Sequence, residues 1–327
     1  MSTVGVVIIG RNEGDRLKRC LKSVHEIADK LIYVDSGSTD GSVDLARSLG
    51  AIIIDLDISV PFTAARARNA GFHYLIETKP VVDYVQFIDG DCELNNGWLT
   101  KASAFLDENS SVAMVCGRLR ERFPEHSIYN QLCDIEWDTP AGETKACGGI
   151  AMARADALQK VNGYLESLIA GEEPELCVRL RQAEWIVWRL DYDMAWHDAA
   201  MSKFGQWWRR MVRGGYAFAE GTNLHGNSPE RHWVTESRRA WVWGLVIPFI
   251  VVVSAAIFGV KGLVLLALYP AQVIRLALRG NRSPQENWLH AFFLVLGKFP
   301  EVQGQLTFWL NRLFNTRNKI IEYKGSK

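Results

Sequence analysis

No two of the six cysteines (Cys20, Cys92, Cys116, Cys133, Cys147 and Cys177) form a C-x-x-C pair. That absence argues against a zinc ribbon or a dithiol redox pair and fits thiols kept reduced, as in the cytosol. Neither sign of charge is in excess, because 37 basic and 37 acidic residues cancel. A balanced chain has no global attraction for a polyanion, so no nucleic-acid partner is expected, and any anionic ligand must meet a local basic patch. The short apolar run at the N-terminus lacks a basic n-region and reads as a first strand, not a signal peptide. No G-x-G-x-x-G follows that strand, which disfavours a dinucleotide-dependent dehydrogenase. Gly10-Arg11-Asn12-Glu13 is also not the glycine-rich phosphate loop expected of a nucleotidyltransferase.

Hydrophobic residues are plentiful, at 48% of the 327. In the first part of the chain they fall into short runs at 4–9, 30–35, 51–55 and 83–89, rich in Val, Ile and Tyr, which read as strands. Amphipathic stretches at 15–24, 42–49 and 63–76 lie between them and read as helices. Alternating β and α elements with apolar strands predict an α/β fold, a mostly parallel sheet covered on both faces. Ligands of such sheets bind outside the carboxyl ends of the strands.

Composition changes near residue 220. The expected division is a catalytic domain at 1–220, a basic linker at 221–239, two hydrophobic helices at 240–280 and an amphipathic C-terminal region at 281–327. Residues 240–259 carry no charge, and about 20 residues at ~1.5 Å each cross roughly 30 Å of hydrocarbon. A buried hairpin in a soluble domain is the alternative, and Pro248 and Pro270 leave spanning and re-entrant helices both open. Arg231, Arg238 and Arg239 precede the apolar segment, Arg275, Arg279 and Arg282 follow it, and only Lys261 lies in the connection. The positive-inside rule then puts both flanks and the N-terminal domain in the cytoplasm; from the anchor and the lack of a secretion signal, a bacterial inner membrane is the expected setting. Nearly all tryptophans lie beyond residue 184, and Trp207, Trp208, Trp241, Trp243 and Trp288 are expected at the headgroup layer. The tail from Trp288, with Lys298, Glu301, Arg312 and Arg317, reads as interfacial.

Three strands end in polar groups. Phe87-Ile88-Asp89-Gly90-Asp91 presents two carboxylates one residue apart, suited to Mg²⁺ or Mn²⁺; an ordinary Asp-Gly turn is the alternative. Asp35-Ser36-Gly37-Ser38-Thr39-Asp40 could hydrogen-bond a ribose or base, or cap a helix. Gly10-Arg11-Asn12-Glu13 closes the first strand, and together the three form a rim suited to a nucleotide.

With Ala67-Arg68-Asn69-Ala70-Gly71, Gly148-Gly149 and Gly171-Glu172-Glu173-Pro174-Glu175-Leu176, this ordered set resembles the family 2 glycosyltransferases of the GT-A fold over about residues 3 to 215. The resemblance implies that Gly10, Asn12, Glu13 and Asp35 hold the base and ribose of a nucleotide sugar. It implies that Asp89 and Asp91 carry the Asp-x-Asp function, that His197 is a further metal ligand, and that Arg68 lies near the diphosphate or sugar. Glu173 stands where the family has the Asp that deprotonates the acceptor, with Glu172 beside it; acids at a helix start also simply complement its dipole. Gln206-x-x-Arg209-Arg210 partly resembles the Gln-x-x-Arg-Trp of processive members, with Arg210 in place of Trp. Arg209 and Arg210 would meet lipid phosphates or a phosphate-bearing acceptor from an amphipathic helix, or serve as anchors alone. The expectation is an inverting, metal-dependent transfer from a nucleotide sugar, a UDP-sugar favoured, to a lipid-linked saccharide or glycolipid. The alternatives are an inactive membrane scaffold with the same fold, or a nucleotidyltransferase.

Overall fold

The computed structural model describes residues 2–24 and 28–316. Arg317 and the end of the expected amphipathic tail lie outside them. The chain divides into two compact units, Met1–Pro124 with Glu136–Ala200, and Glu125–Ile135 with Met201–Lys327.

In the first unit β1 (Val4–Gly10), α1 (Asp15–Val24), β2 (Lys30–Asp35), α2 (Ser42–Ser48), β3 (Ile52–Asp55), α3 (Ala64–Glu77) and β4 (Tyr84–Asp89) follow the expected alternation to within a residue or so. The side chains of α1 show why: Leu17, Cys20, Leu21 and Val24 repeat at helical spacing and are all buried. Then come β5 (Cys92–Leu94), α4 (Trp98–Glu108), β6 (Val112–Glu121), α5 (Ile128–Trp137, which through Ile135 belongs to the second unit), β7 (Gly142–Glu143), β8 (Ala151–Arg154), α6 (Ala155–Lys160), α7 (Glu172–Gln182) and β9 (Ile186–His197).

The nine-stranded sheet has the order β3-β2-β1-β4-β8-β6-β9-β5, with β7 on β9. Most of its paired residues lie in parallel ladders, and short antiparallel strands complete it. β1, β2, β3 and β4 pair in parallel, as do β6 and β9, whereas β8 runs antiparallel to β4 and β6, and β5 and β7 antiparallel to β9. The antiparallel strands are too short or too irregular to read as runs: β7 has two residues and β5 three. Parallel β1, β2 and β4 bring Gly10, Asp35 and Asp89 to one edge, since Gly10 is in register with Asp35 and Ile9 with Asp89.

The second unit is helical. α8 (Phe204–His225) runs straight through the expected boundary at 220/221. α9 (Val234–Trp241) leads through a π turn into α10 (Ile247–Phe258), followed by a 3₁₀ stretch, α11 (Leu268–Leu278), α12 (Pro284–Leu296) and α13 (Lys298–Leu313). Among the described residues one helical stretch, Val234–Leu278, is long and apolar enough to cross a membrane by length and composition, and only 11% of its most apolar window is buried. The chain doubles back within it: a Cβ on Gly262 would sit 2.2 Å from Ser254, and Tyr269 donates its hydroxyl to the Trp243 carbonyl at 2.7 Å.

Two expectations for this unit change. Trp207 is buried with Leu132 and Phe293, so it is not available to a headgroup layer, and Trp208 donates to Gln303 at 2.9 Å. α13 is a packed helix whose Gln305 is fully buried and accepts from Ser237 at 2.7 Å. α8 and α13 touch backbone to backbone: a Cβ on Gly215 would meet the Glu301 carbonyl at 1.9 Å, and one on Gly304 the Val212 carbonyl at 2.0 Å. Only glycine permits that approach. The other face of α13 leaves Trp309, Leu310 and Leu313 exposed.

Candidate active site

The site is built in the first unit from the carboxyl ends of β1, β2 and β4, the ends of β6 and β9, and the start of α7. The nucleotide rim is a stitched pair of loops. Asp35 is buried and accepts from the Tyr33 hydroxyl at 3.0 Å and from the Gly37 and Ser38 amides at 2.9 and 2.7 Å. Burial raises the Tyr33 phenol, and the nearby Asp35 charge adds to the rise. Asn12, at φ 56°, accepts from the Thr39 amide at 2.7 Å while its own amide donates to Ser38 at 2.9 Å. Gly10 accepts from the Ser36 amide at 3.2 Å, and Glu13 pairs with Arg16 at 2.8 Å. Gly10, Asn12, Glu13 and Asp35 therefore share one edge, with part of the Asp35 carboxylate committed to its own loop.

Arg68, expected near the donor diphosphate or sugar, is held between two carboxylates. It is buried on α3, with Nη1 donating to Glu172 at 2.7 Å and Nη2 to Asp89 at 2.8 Å. Burial opposes its charge, but Asp89 and Glu172 more than offset that and hold its pKa up. The Tyr164 ring lies 5.6 Å from the guanidinium carbon. Arg68 thus braces two acids that are 83 residues apart in sequence (172 − 89). Gly149 passes directly over this brace, and a Cβ there would fall 2.9 Å from Nη2 and 3.4 Å from the Asp89 carboxylate.

Asp91 and His197 meet where β5 and β9 pair. Asp91 Oδ2 lies 3.4 Å from His197 Nε2, and the Cys92 thiol donates to Asp91 Oδ1 at 3.4 Å. One ligand atom from each of the three falls within a 4.8 Å cluster. On the far side of the imidazole, Glu121 Oε2 is 3.8 Å from Nδ1, and Glu121 is itself fixed by the Phe123 and Ala199 amides at 3.2 and 3.0 Å. The Trp137 ring packs edge-on against His197, with centroids 4.9 Å apart. A carboxylate behind an imidazole and an aromatic wall beside it are the usual means of fixing a ligand histidine.

Glu173, at 2% exposure, opens α7. It accepts from the Cys147 and Gly148 amides at 2.7 and 2.8 Å and from the Cys177 thiol at 2.9 Å. Burial raises its pKa to about 7; the three donors only partly offset this, and the Glu172 charge adds to it. A carboxyl poised near neutrality can take up a proton in a reaction at physiological pH. The Cys177 thiol is pushed up to about 12, first by burial. The Cys147 thiol neighbours those of Cys116 and Cys177, so three cysteines far apart in sequence gather, and one of their thiols, that of Cys177, reaches the Glu173 carboxylate.

Arg209 and Arg210 lie half-buried on α8, in the second unit. Sequence reasoning missed Glu121, Trp137, Cys147 and Cys177. Glu121 was findable, because it closes β6 as Asp35 closes β2 and Asp89 closes β4.

The model of the family described as Glycosyl transferase family 2 matches residues 5–160. An uncharacterized glycosyltransferase of Rickettsia prowazekii is 36% identical over 95 residues, 29% of this chain and 30% of that protein. The glycosyltransferase AglE of Haloferax volcanii is 23% identical over 181 residues, 51% of this chain and 58% of that protein. The chain thus spans less than two thirds of the length of these relatives. Among solved structures, the mannosyltransferase PcManGT from Pyrobaculum calidifontis, in complex with GDP-Man and Mn²⁺, is similar at TM-score 0.64 and 17% identity, over 93% of this chain and 87% of that one. That likeness is one of fold, the GT-A arrangement. Residues 5–160 thus match glycosyl transferase family 2, just under half of the chain, and the fold is that of the GT-A glycosyltransferases.

Proposed function

We propose that this chain transfers a sugar from a nucleotide-sugar donor to a hydroxyl of a lipid-linked saccharide or glycolipid, in one displacement that inverts the anomeric carbon. The observation that carries this reading is the convergence on one sheet edge of a nucleotide rim, the Asp91–His197 pair and a near-neutral carboxyl at Glu173.

The Asp91–His197 separation of 3.4 Å is one that two ligands each about 2.1 Å from a single cation adopt, so the pair fits Mg²⁺ or Mn²⁺. Such a cation, when bound, supplies positive charge against the diphosphate of the donor. PcManGT binds GDP-Man and Mn²⁺, which supports a nucleotide sugar and a divalent cation here. Asp35, Asn12 and Glu13 orient the base and ribose. Asp89, 38% exposed at its side chain, turns one oxygen to Arg68 and keeps the other available to the donor. Arg68 fixes Asp89 and Glu172 against each other and so sets the donor at a constant distance from α7. Glu173 takes the proton of the acceptor hydroxyl as that oxygen attacks from the face opposite the departing nucleotide.

The apolar hairpin supports membrane attachment, since Phe249, Val252, Ile257, Phe258, Val260 and Val264 are all largely exposed. Arginines at both its ends favour the cytoplasmic side for the flanks. Detergent-purified protein and Asp91→Ala, assayed against UDP-, GDP- and dTDP-sugars with and without Mg²⁺ or Mn²⁺, test the proposal. One donor cleaved only with metal, and only by the wild type, supports it. No donor bound under any condition refutes it.

A further inference from the structure

A cavity of about 630 Å³ opens on the face of the first unit that carries Arg118 of β6 and Arg189, Asp191 and Asp193 of β9, and its rim is the chain from Asp138 to Ala141. That volume lies within the ~300–1,000 Å³ of small-molecule sites. Both ends of the segment over the cavity are tied to the reaction centre. Trp137, at its start, has its ring against His197, while Arg189 donates to the Trp137 carbonyl at 3.0 Å and to the Thr139 hydroxyl at 2.5 Å. From there the chain passes through β7, paired with β9, to the Cys147 amide on the Glu173 carboxylate. The segment that rims the cavity therefore runs from the His197 side of the site to the Glu173 side.

Its chemistry selects among ligands. Two arginines stand against three aspartates, and they are already partly paired, Arg118 with Asp138 at 3.5 Å. An anion would meet the carboxylates and a cation the guanidinium groups. A neutral ligand carrying many groups that both donate and accept satisfies both, and vicinal hydroxyls match a carboxylate on one side and a guanidinium on the other. We propose that this cavity is the acceptor site and that it binds the sugar whose hydroxyl is glycosylated, a neutral saccharide, between Arg118, Asp138 and Asp191. The assignment rests on the transferase reading above.

Full-length protein in lipid nanodiscs, with UDP or GDP and Mg²⁺, is probed by saturation-transfer NMR with the methyl glycosides of glucose, galactose, mannose and N-acetylglucosamine. Asp191→Ala and Arg118→Ala are compared with the wild type, with circular dichroism as the check on folding; Asp191 is exposed, so its variant keeps the comparison open if the other misfolds. At least one glycoside is expected to bind, and about tenfold more weakly to the variants, the loss of one hydrogen bond to a charged group. No binding of any of the four, or equal binding by wild type and folded variants, overturns the assignment. Nucleotide binding is read in the same samples: its absence from the wild type refutes the transferase reading itself, while glycoside binding is scored separately.

Discussion

Replacing Cys177 by alanine removes one of the three donors on the Glu173 carboxylate and leaves the two backbone amides in place. Burial already outweighs all three and holds the carboxyl near 7. A thiol is a weak donor, so its bond to the ionised form contributes about 1 kcal/mol. At ~1.36 kcal/mol per pH unit, its loss raises the pKa by a further ~0.7. If Glu173 is the base, transfer rises with pH as the carboxyl ionises, and its acid limb moves from near 7 to between roughly 7.5 and 8. The ionised fraction at neutrality falls from about one half to about one sixth, a roughly threefold loss of rate that vanishes above roughly pH 9. Cys177→Ser, which keeps a donor, should hold the limb near its original place. The assay is the pH–rate profile at saturating donor, and an unmoved limb in a folded, active Cys177→Ala protein refutes Glu173 as the titrating base. The same shift makes the native state the tighter proton binder between 4.5 and about 7. The contribution of this carboxyl to stability is therefore present at the acidic end and declines as pH rises through that window.

Arg68→Met should destabilise the first unit by about 3 kcal/mol, the lower end for a broken buried ion pair because Asp89 can rehydrate; a denaturation curve matching the wild type would contradict the bracing role. Glu121→Gln should weaken Mn²⁺ binding by roughly 10–100-fold, as read by electron paramagnetic resonance titration, and unchanged affinity would remove Glu121 from behind His197. Gly304→Leu drives a side chain into the Val212 carbonyl and should cost about 1–3 kcal/mol or more, seen as faster proteolysis of the helical unit; equal resistance would mean that α8 and α13 do not meet there. Val260, 85% exposed at the turn of the hairpin, should when replaced by a bimane-labelled cysteine be quenched by brominated lipid, and quenching only by aqueous iodide would argue against insertion.

The strands that hold the rim were legible because each is an apolar run ended by a polar residue, and their parallel pairing follows from the helices between them. β8 and β9 were not, since their pairing depends on residues such as Met114 and Val187, 73 positions apart (187 − 114). The same limit applies in the site. Spacing and resemblance marked Asp89, Asp91, Glu173 and His197, but nothing local to Arg68 says that Glu172 will stand 104 residues away at 2.7 Å. The gathering of Cys116, Cys147 and Cys177 is likewise a product of tertiary packing, and the missing C-x-x-C says nothing about it. Gly221 was read as the start of a linker from its polar neighbours, yet it lies inside α8, where a Cβ would meet the Trp233 ring at 2.6 Å. It serves close packing there.

The segment between Trp137 and Gly148 is pinned at both ends and free of catalytic groups between them. Its β7 pairs with β9, so residues 138–141, ahead of that pairing, form an exchangeable cassette whose change leaves the Glu173 carboxyl and the His197 imidazole in place. On the acceptor reading proposed above, changes confined to this short stretch alter the cavity and leave the donor rim as it is. Grafting such a stretch between two related enzymes is, on the same reading, a direct route to recombining their specificities.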